Sequence, residues 1–416
     1  MPDSLGTYLS LDGIASGISG GKLAVFDLLR HLSSEEQVPV YLVGGPVREA
    51  VLDVPVQDLD FVLVGNAPVL ATEIANKLGG EVTVHSRFGT ATVEVAGDYV
   101  DIVTARKETY PFPASLPETS PSDLNDDLAR RDFSINAMAL PLSGESPQVI
   151  DPHGGLQHLA DRSNAVLHNE SFLDDPTRML RAVRYAQRLG FQISAITKFA
   201  LERSIEEGHV TAVSGDRWRQ ELQKMFSEQQ APEMLLKAID LGILGAIHPA
   251  LIKRNGLNKL VGKRGLTPVD YLSAFAFDLT AADCESVSTR LNLASDWARI
   301  LHDTIALQGW LSFLSVSTAK TSEICGELDG LNPEAIHALA RFIGDLEVST
   351  MLSQYLNEWR HKKPSLTGDI LRTMGVPQGI MVGDVLRELH AAVLDGLVKG
   401  ETEERILVEQ ILSRRS

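Results

Sequence analysis

Residues 38–64 read VPVYLVGGPVREAVLDVPVQDLDFVLV, and the architecture of the first part of the chain follows from this stretch. The apolar run at residues 38–43 predicts a strand, and the pair Gly44-Gly45 ends it where a helical stretch begins. A second apolar run, at residues 58–64, predicts another strand. Strands that alternate with helices indicate an α/β head with a small mixed or antiparallel sheet.

Two more strands and one more helix are predicted before residue 104. Residues 89–95 alternate between polar and apolar side chains, and residues 99–103 form another short apolar run. The Gly97-Asp98 step between these two runs has the composition of a hairpin turn. Residues 69–78 have the spacing of a helix.

From about residue 171 the apolar residues follow a helical spacing, and a last helix is predicted over residues 402–413. The predicted fold class is therefore α+β, with a head that contains a small mixed β-sheet and a long all-α extension. The predicted divisions are an N-terminal extension with the first helix at residues 1–37, the head at 38–165, a helical neck at 166–245, and a helical body and tail at 246–416.

One segment, residues 106–130, has no clear periodicity. It contains four prolines and ends in an acidic cluster. A loop of this length inside a compact domain is more often functional or mobile than incidental, although a solvated insertion is an open alternative.

The composition excludes several classes of protein. Hydrophobic residues make up 44% and charged residues 22% of the 416 residues, and no run of 18 apolar residues predicts a membrane span. The two cysteines, Cys284 and Cys325, are far apart, which excludes a disulfide scaffold or a CxxC zinc site and suggests a cytoplasmic protein. The formal net charge of −17 excludes a basic protein that coats nucleic acid, but not an enzyme with a local basic groove.

Gly44, Gly45 and Arg48 form a candidate phosphate-binding turn. Glycines between a strand and a helix let the backbone approach an anion, and the free N–H groups of the helix N-terminus point at it. Arg48 lies in the first helical turn, where it would add a fixed positive charge. A glycine pair alone is weak support, because most such pairs are ordinary turns.

Asp58 and Asp60 are the candidate metal ligands. Positions i and i+2 of a strand point to the same face, so both carboxylates would converge there. Adjacent carboxylates repel each other unless a cation lies between them, and oxygen ligands suit Mg²⁺. Asp101 would supply a third catalytic carboxylate, and ions held in this way would activate a hydroxyl and neutralise a leaving pyrophosphate. Exposed strand-end aspartates are the alternative, which the phosphate-binding turn upstream disfavours.

Five motifs between residues 38 and 228, in the same order, resemble those of the tRNA nucleotidyltransferase/poly(A) polymerase family, in its bacterial-type class II branch. They are Gly44-Gly45-x-Val47-Arg48 with Asp58-x-Asp60, RRDFSINA at residues 130–137, DPHGGL at 151–156, DDPTRMLRAVR at 174–184, and SGDR at 214–217 with Glu221. The sequence departs from the family pattern at Glu49, His158 and Asp174. None of these departures removes a proposed metal ligand. The resemblance implies a nucleotidyltransferase head followed by a helical neck, body and tail.

The resemblance also implies that Asp175 and Arg178 read the incoming base. Cytosine and adenine show an amino donor beside a ring-nitrogen acceptor, whereas uracil and guanine show the reverse order. A carboxylate only accepts and a guanidinium only donates, so this pair matches C and A. A spacing of three would place both residues on neighbouring positions of a helix surface. Two alternatives stay open: Asp175 before Pro176 suits a helix cap, and Asp174 suits an i,i+4 ion pair with Arg178.

Arg131 and Asp132 are assigned to the nucleotide site on their position in the second motif. Arg131 follows the proline-rich segment, which favours binding of the triphosphate. The alternative is structural, because Arg130 and Arg131 could pair instead with Asp126 and Asp127.

Arg181 and Arg184 continue the fourth motif at spacings of three. Each such step falls about 60° short of a full turn, so these arginines wind around the helix and cannot all face one base. They are assigned to the triphosphate or to holding the base-reading pair, with an ion-paired helix face as the alternative.

Positive charge is concentrated locally despite the acidic total. Residues 253–264 contain five basic residues and no acidic one, a pattern that could follow RNA phosphates, although such runs are usually solvated faces. The resemblance implies that the helical extension binds the acceptor and TΨC arms of tRNA. The candidate RNA-binding residues are Lys253, Arg254, Lys259, Lys263 and Arg264.

These features favour an Mg²⁺-dependent enzyme that adds CCA to tRNA 3′ ends from CTP and ATP, with no membrane association and no obligate protein partner. An A-adding or CC-adding enzyme and a poly(A) polymerase stay open. The resemblance implies that CC-only members shorten the loop before Arg130, which favours an enzyme able to add the terminal A. A small-molecule nucleotidyltransferase is disfavoured by the base-reading motif, and an inactive RNA-binding protein by the intact Asp58, Asp60 and Arg48.

Overall fold

The computed structural model describes residues 7–85, 89–314 and 319–415. The chain divides into two compact units, Met1–Glu221 with Asp240–Ile247 and Leu222–Ile239 with His248–Ser416. The predicted α+β class is confirmed, since the first unit holds a mixed sheet and the second is helical. The four-part division made from the sequence stays a prediction, and residues 1–6 of its N-terminal extension lie outside the described residues.

The sheet of the first unit is mixed, as predicted. The strands are β1 Val40–Val43, β2 Asp60–Leu63, β3 Glu81–His85, β4 Thr90–Val95, β5 Asp98–Thr104, β6 Arg106–Thr109, β7 Glu118–Pro121, β8 Ala139–Pro141, β9 Ser163–Asn164 and β10 Gln192–Ile193. Six of them form one sheet in the order β3-β4-β5-β2-β1-β8. Within it only β2 and β5 are parallel, and their register places Asp60 beside Asp101.

Helices are interspersed among the strands of the first unit and form the regular structure of the second unit. They are α1 Leu11–Ser16, α2 Gly20–Glu35, α3 Gly45–Val51, α4 Ala67–Leu78, α5 Leu124–Ala129, α6 Gly155–Ala160, α7 Ser171–Asp174, α8 Arg178–Leu189, α9 Ala195–Glu206, α10 His209–Ala212, α11 Gly215–Phe226, α12 Ala231–Asp240, α13 Ile243–Ile247, α14 Asn255–Asn258, α15 Pro268–Ala276, α16 Ala281–Arg290, α17 Ser295–Leu314, α18 Thr321–Leu328, α19 Pro333–Phe342, α20 Leu346–Asn357, α21 Gly368–Thr373, α22 Ile380–Leu394 and α23 Gly400–Arg415. Among the described helices, none has both the length and the apolar character needed to cross a bilayer.

The hairpin turn between β4 and β5 differs by one residue from the prediction. Val95 pairs with Asp98, so the two turn residues are Ala96 and Gly97 rather than Gly97 and Asp98. Both have positive φ, 52° and 83°, which is the conformation of a type I′ turn and follows the right-handed twist of the strands.

The proline-rich segment is structured, which corrects the expectation of a long loop. β6 and β7 form a separate two-stranded antiparallel hairpin, and α5 follows. The tip of the hairpin is anchored, because the backbone N–H of Ala114 donates to the carbonyl oxygen of Leu173 at 3.0 Å. Ala114 and Ser115 are buried. The segment is therefore a packed element of the first unit rather than a solvated insertion.

The motif at residues 151–156 has a structural explanation. Asp151 accepts hydrogen bonds from the backbone N–H groups of Gly155 at 2.7 Å and Leu156 at 2.9 Å, which caps α6. Gly155 is packed so closely that a Cβ atom there would lie 2.4 Å from the carbonyl oxygen of Ser134. This contact joins α6 to the segment that carries the second motif.

Gly155→Ala is expected to destabilise the protein by about 2 kcal/mol, because the new methyl group would push against backbone that cannot move freely. Urea unfolding followed by circular dichroism measures this change. Gln157→Ala, at an exposed position of the same helix, is the control and should stay within about 0.5 kcal/mol. Equal stability of the two variants would show that the close contact is not rigid.

The second unit has two apolar centres. Near its start, Phe226 stacks on Tyr271 with ring centroids 5.0 Å apart and also contacts Phe275 and Trp297. Near its end, residues of α21, α22 and α23 form a second buried cluster, which includes Leu371, Leu389 and Val408 among others. The amphipathic spacing seen in the sequence is therefore the inward face of packed helices.

Candidate active site

A polar cavity of 590 Å³ in the first unit gathers most of the residues predicted for catalysis and nucleotide binding. The predicted residues among its lining are Gly44, Gly45, Arg48, Asp60, Arg131, Asp132, Asp175, Arg178 and Arg181. Asp58, Asp101 and Arg184 are not part of the lining. Residues more than 130 positions apart in the chain thus converge on one space, which is large enough for a nucleotide.

The glycine turn lies at one end of α3, where the sequence placed it. Gly44 has φ 72° and ψ −125°, a conformation that favours glycine, and a Cβ there would lie 3.0 Å from Nη1 of Arg131. Arg48 is buried, and its guanidinium donates to Oδ1 of Asn136 and lies 5.6 Å from the ring centre of Tyr185. Burial lowers the pKa of Arg48. An anion in the cavity would compensate this desolvated charge.

Asp58 lies two residues before Asp60 and just outside β2, so the convergence of both carboxylates on one strand face stays a prediction. Both side chains reach solvent, and Asp60 is the first residue of the strand. Desolvation by the surrounding protein raises the pKa of the Asp60 carboxyl; Arg131 lowers this pKa, while Asp101 and Asp58 raise it further. The site thus concentrates negative charge on hard oxygen atoms, and the donor chemistry fits a divalent cation held by Asp58 and Asp60.

Asp101 lies beside Asp60 in the sheet and has a partner on the other neighbouring strand. Its Oδ1 accepts a hydrogen bond of 2.6 Å from the hydroxyl of Thr92 on the neighbouring strand β4. Across residues 7–85, 89–314 and 319–415, no three His, Cys, Asp or Glu side chains are arranged to hold a metal ion. The role of Asp101 as a third catalytic carboxylate therefore stays a prediction; in this structure one of its oxygens is engaged by the neighbouring strand.

Asp175 lies before helix α8 and not on it, which corrects the prediction that Asp175 and Arg178 share a helix surface. It has extended backbone, with φ −141° and ψ 95°, at the end of α7. Its Oδ1 accepts three hydrogen bonds: 2.9 Å from Thr177 N–H, 2.6 Å from the Thr177 hydroxyl and 2.7 Å from Nη2 of Arg217. Among the described residues, none donates to Oδ2. The capping alternative is thus realised through Oδ1, while Oδ2 is left for a ligand.

Arg178 is the first residue of α8 and is buried. Its Nη1 donates to Ser171 Oγ at 2.9 Å, and its Nη2 donates to the carbonyl oxygen of Arg130 at 2.9 Å and to the Tyr110 hydroxyl at 3.3 Å. The alternative ion pair with Asp174 is not formed, because Asp174 faces His168 at 3.7 Å. Arg178 is therefore held rigidly at the cavity wall, which suits a residue that reads a base edge.

Arg181 and Asp132 form the best-defined ion pair of the site. Nε and Nη2 of Arg181 both donate to Asp132 Oδ2, at 2.9 Å and 2.6 Å. Asp132 also accepts from Phe133 N–H and from the Asn136 amide. Burial alone would raise the pKa of Asp132, but the charge of Arg181 and these hydrogen bonds lower it below its ordinary value. The alternative of an ion-paired helix face therefore describes Arg181.

Arg181→Met is expected to destabilise the protein by about 3 kcal/mol at pH 7, because it leaves Asp132 charged, buried and without its main partner. The depressed pKa means that the pair stabilises the fold above the unfolded-state pKa of about 3.9, and that this contribution disappears as pH falls through the folded-state pKa. Urea unfolding at pH 7 and at pH 3 measures the difference, which should shrink at the lower pH.

The matched control for this variant is Arg203→Met, which removes an ion pair between Arg203 and Glu170 whose side chains are 40% and 46% exposed. Exposed pairs contribute little, so the unfolding midpoint should not change. A similar loss in both variants, or a loss for Arg181→Met that is independent of pH, would contradict the role assigned to the buried pair.

Arg131 and Arg184 behave differently from each other. Arg131 lines the cavity, and its Nη2 pairs with Asp127 Oδ2 at 2.9 Å. Asp127 binds both Arg130 and Arg131, as the structural alternative predicted. Asp126, the other acidic residue of that alternative, is bonded to Ser122 instead. Arg184 is buried 5.4 Å from the ring centre of Tyr185 and does not line the cavity. The two functional roles proposed for Arg184 therefore stay predictions.

Several lining residues were not assigned to the site from the sequence. Tyr185 has the guanidinium groups of Arg48, Arg181 and Arg188 within 5.8 Å of its ring centre, which makes this end of the cavity strongly positive. Arg217 joins two elements, since its Nη1 donates to the carbonyl oxygen of Ala114 at 2.6 Å and its Nη2 to Asp175. The motif at residues 214–217 signals Arg217, but only the fold shows its partners.

The candidate RNA-binding residues lie in the second unit. Lys253, Arg254, Lys263 and Arg264 are exposed, whereas Lys259 is half-buried with its Nζ 4.2 Å from the ring centre of Phe277. Lys263 and Arg264 border a cavity of 710 Å³. Their role in RNA binding stays a prediction.

Known proteins resemble the chain along most of its length. Residues 40–164 match the family described as Poly A polymerase head domain, and residues 190–254 match the family described as Probable RNA and SrmB- binding site of polymerase A. An A-adding tRNA nucleotidyltransferase of Geobacter sulfurreducens is 33% identical over 88% of this chain, which spans only 44% of that protein's length. A CC-adding tRNA nucleotidyltransferase of Deinococcus radiodurans is 30% identical over 93% of this chain and 92% of its own.

Solved structures give the same picture. A Thermotoga maritima CCA-adding enzyme complexed with tRNA superposes with a TM-score of 0.78 at 27% identity, covering 97% of this chain and 99% of that one. CCA-adding enzymes in complex with ATP and with CTP give TM-scores of 0.80 and 0.79, each at 27% identity over 98% of this chain and 99% of the other. The likeness thus includes both units.

Proposed function

Because the chain belongs to the tRNA nucleotidyltransferase/poly(A) polymerase family, we propose that it adds CCA to the 3′ end of tRNA from CTP and ATP without a template. The observation that carries this proposal is the convergence of the glycine turn, Asp60, Asp175 and Arg178 on one cavity. The full-length likeness to CCA-adding enzymes solved with ATP and with CTP supports the choice of substrates.

The reaction joins the RNA to the α-phosphate of the nucleotide. The oxygen of the 3′-hydroxyl attacks the α-phosphorus, the bond from this phosphorus to the bridging oxygen breaks, and pyrophosphate leaves while the hydroxyl proton passes to solvent. Arg48 and the turn at Gly44 and Gly45 bind the triphosphate. Nucleotidyltransferases generally use divalent metals, and Mg²⁺ on Asp58 and Asp60 would make the hydroxyl more acidic and neutralise the pyrophosphate.

The choice of base follows from the two fixed side chains. Asp175 offers a free acceptor, Oδ2, and Arg178 offers donors, so cytosine and adenine each satisfy both groups. Uracil and guanine would mismatch both, and each mismatch costs about 1–3 kcal/mol. The pair therefore selects C and A over U and G without a nucleic-acid template.

A second candidate activity is addition of the terminal A alone. It is favoured by the relative named A-adding, which is 33% identical, whereas the CCA-adding structures are 27% identical. The site described above suits both activities, because the step that joins A from ATP to a CC-ended tRNA is common to them. The segment before Arg130, whose length the family resemblance links to addition of A, forms the hairpin of β6 and β7 and helix α5.

One assay separates these activities. Purified protein is incubated with Mg²⁺ and with tRNAs that end before CCA, after C or after CC, with each NTP supplied separately. Full CCA addition predicts extension of the first two by CTP and of the third by ATP. If the CC-ended tRNA is the only one extended, and ATP the only nucleotide used, A addition replaces the proposal. If the first two tRNAs are extended by CTP and the CC-ended tRNA is not extended by ATP, the activity is CC addition.

Shortening the hairpin connection, residues 110–117, is expected to reduce addition of A by at least about 10-fold and to affect addition of C less. The Tyr110 hydroxyl donates to Glu108 and accepts from Arg178 at the cavity, and the family resemblance links this segment to addition of A rather than C. Single-turnover extension of C-ended and CC-ended tRNAs measures the two steps. Equal loss of both steps would reject a role specific to A.

We further propose that the exposed basic residues of the second unit bind tRNA phosphates. Each contact to a phosphate adds to the salt dependence of binding, so replacing Lys253 and Arg254 by glutamine should reduce the slope of log affinity against log salt by about 1–2. Binding of tRNA measured at salt concentrations from about 50 to 200 mM tests this. An unchanged slope would assign these residues to a solvated face.

A further inference from the structure

Helix α2 is fixed at its first turn to the hairpin of β4 and β5. The backbone N–H of Gly21 donates to Oδ2 of Asp98 at 2.8 Å. Gly21 packs so tightly on the hairpin of β4 and β5 that a Cβ atom would lie 1.9 Å from the carbonyl oxygen of Val95. The next residue, Lys22, therefore starts from a rigid point of the backbone.

Lys22 uses this fixed position to reach the proposed metal site. Its Nζ donates to the carbonyl oxygen of Gln57 at 2.5 Å and to Oδ1 of Asp58 at 3.3 Å. The Lys22 side chain is only 24% exposed, whereas that of Asp58 is 90% exposed. Within the described part of the chain, Lys22 is the cation that forms an ion pair with Asp58. The ammonium group thus lies where it would face any ion bound by Asp58.

We propose that Lys22 competes with the divalent cation for Asp58 and keeps the metal affinity of the nucleotide-free enzyme low. This inference rests on the proposed function, since it assumes that Asp58 and Asp60 bind the ion. A divalent ion on Asp58 would lie within several ångströms of the ammonium, where like charges repel even in water. The triphosphate adds negative charge beside the ion and offsets this repulsion, so that the ion is retained mainly together with its nucleotide.

The Lys22→Gln variant tests the competition because glutamine can still donate to Gln57 but carries no charge. Titration of the full-length, nucleotide-free protein with Mn²⁺, followed by the electron paramagnetic resonance signal of the free ion, measures the affinity directly. We expect the dissociation constant of Lys22→Gln to be about fivefold lower than that of wild type at low salt. At about 0.5 M salt the difference should fall below about twofold, because the pair is exposed to solvent.

Two control variants separate local from general charge effects. Lys22→Arg keeps the positive charge and should keep the wild-type affinity. Lys77→Gln removes the same charge from an ion pair with Glu73 on α4 and should also leave the affinity unchanged. Thermal unfolding of each variant checks that the fold is retained.

The outcomes distinguish this inference from the proposed function. An unchanged or weaker affinity for Mn²⁺ in Lys22→Gln, with binding that the Asp58→Asn, Asp60→Asn double variant abolishes, overturns the competition alone. If wild type and this double variant bind Mn²⁺ equally, the metal site is wrong and the inference falls with it. Tighter binding in Lys22→Gln that is lost in the double variant supports both.

Discussion

Asp60→Asn is expected to slow nucleotide transfer by at least about 100-fold, while the affinity for ATP changes by less than about threefold. Asparagine has nearly the same size as aspartate, so the start of β2 should keep its shape. The substitution removes the charge that would hold a cation beside the α-phosphate, and that charge acts mainly on the transition state. Single-turnover extension of a CC-ended tRNA measures the rate, and equilibrium titration measures ATP binding.

The control for this experiment is Glu81→Gln, which removes one negative charge from an exposed position on β3 of the same sheet. Its rate should equal that of wild type, which would show that the loss in Asp60→Asn is not a general effect of net charge. A decrease of less than tenfold in Asp60→Asn, with unchanged stability, would contradict the assignment of Asp60 to the metal.

The main strands were predictable because they bury apolar runs. β1 and β2 have largely buried side chains, and residues 38–43 and 58–64 show this directly as apolar sequence. β3 was not predicted, because it lies at the edge of the sheet with mostly exposed side chains, so that no apolar run marks it. Local sequence patterns therefore identify strands whose side chains are buried. They miss exposed strands that are held mainly by hydrogen bonds to a neighbouring strand.

The hairpin of β6 and β7 shows the same limit. Pro111, Pro113 and Pro117 lie in the connection between the two strands, and Pro121 ends β7, so no proline interrupts the middle of either strand. Each strand has only four residues with few apolar side chains. The density of prolines therefore suggested a loop, although the strands between them pair.

The site was predictable in its members but not in its contacts. The motifs identified Asp175 and Arg178, yet Asp175 depends on Arg217, 42 positions away, and Arg178 depends on Tyr110, 68 positions away. No local spacing contains such pairs. Because Asp175 lies before the helix, capping and base reading do not exclude each other. One carboxylate oxygen caps the helix, and the other is left for a base.

Asp175→Asn is expected to reduce the preference for CTP over UTP by at least about 100-fold. Three donors surround Oδ1, so the amide oxygen of asparagine should take this place and the amide nitrogen should replace Oδ2. Cytosine would then meet one donor too many at position 175, whereas uracil would still mismatch Arg178. In wild type, uracil has two mismatches and cytosine has none. In the variant, each base has one mismatch, so the basis for selecting cytosine is lost.

Asp174→Asn makes the same chemical change one residue earlier, where the carboxylate faces His168 rather than the cavity, and it should keep the wild-type preference. Asp175→Ala should also lose selectivity, together with the cap, and without a comparable loss of metal binding. The ratio of kcat/KM for CTP and UTP measures each variant. If this ratio is unchanged in Asp175→Asn, then Asp175 serves only to fix Thr177 and Arg217, and the choice of base must come from elsewhere in the cavity.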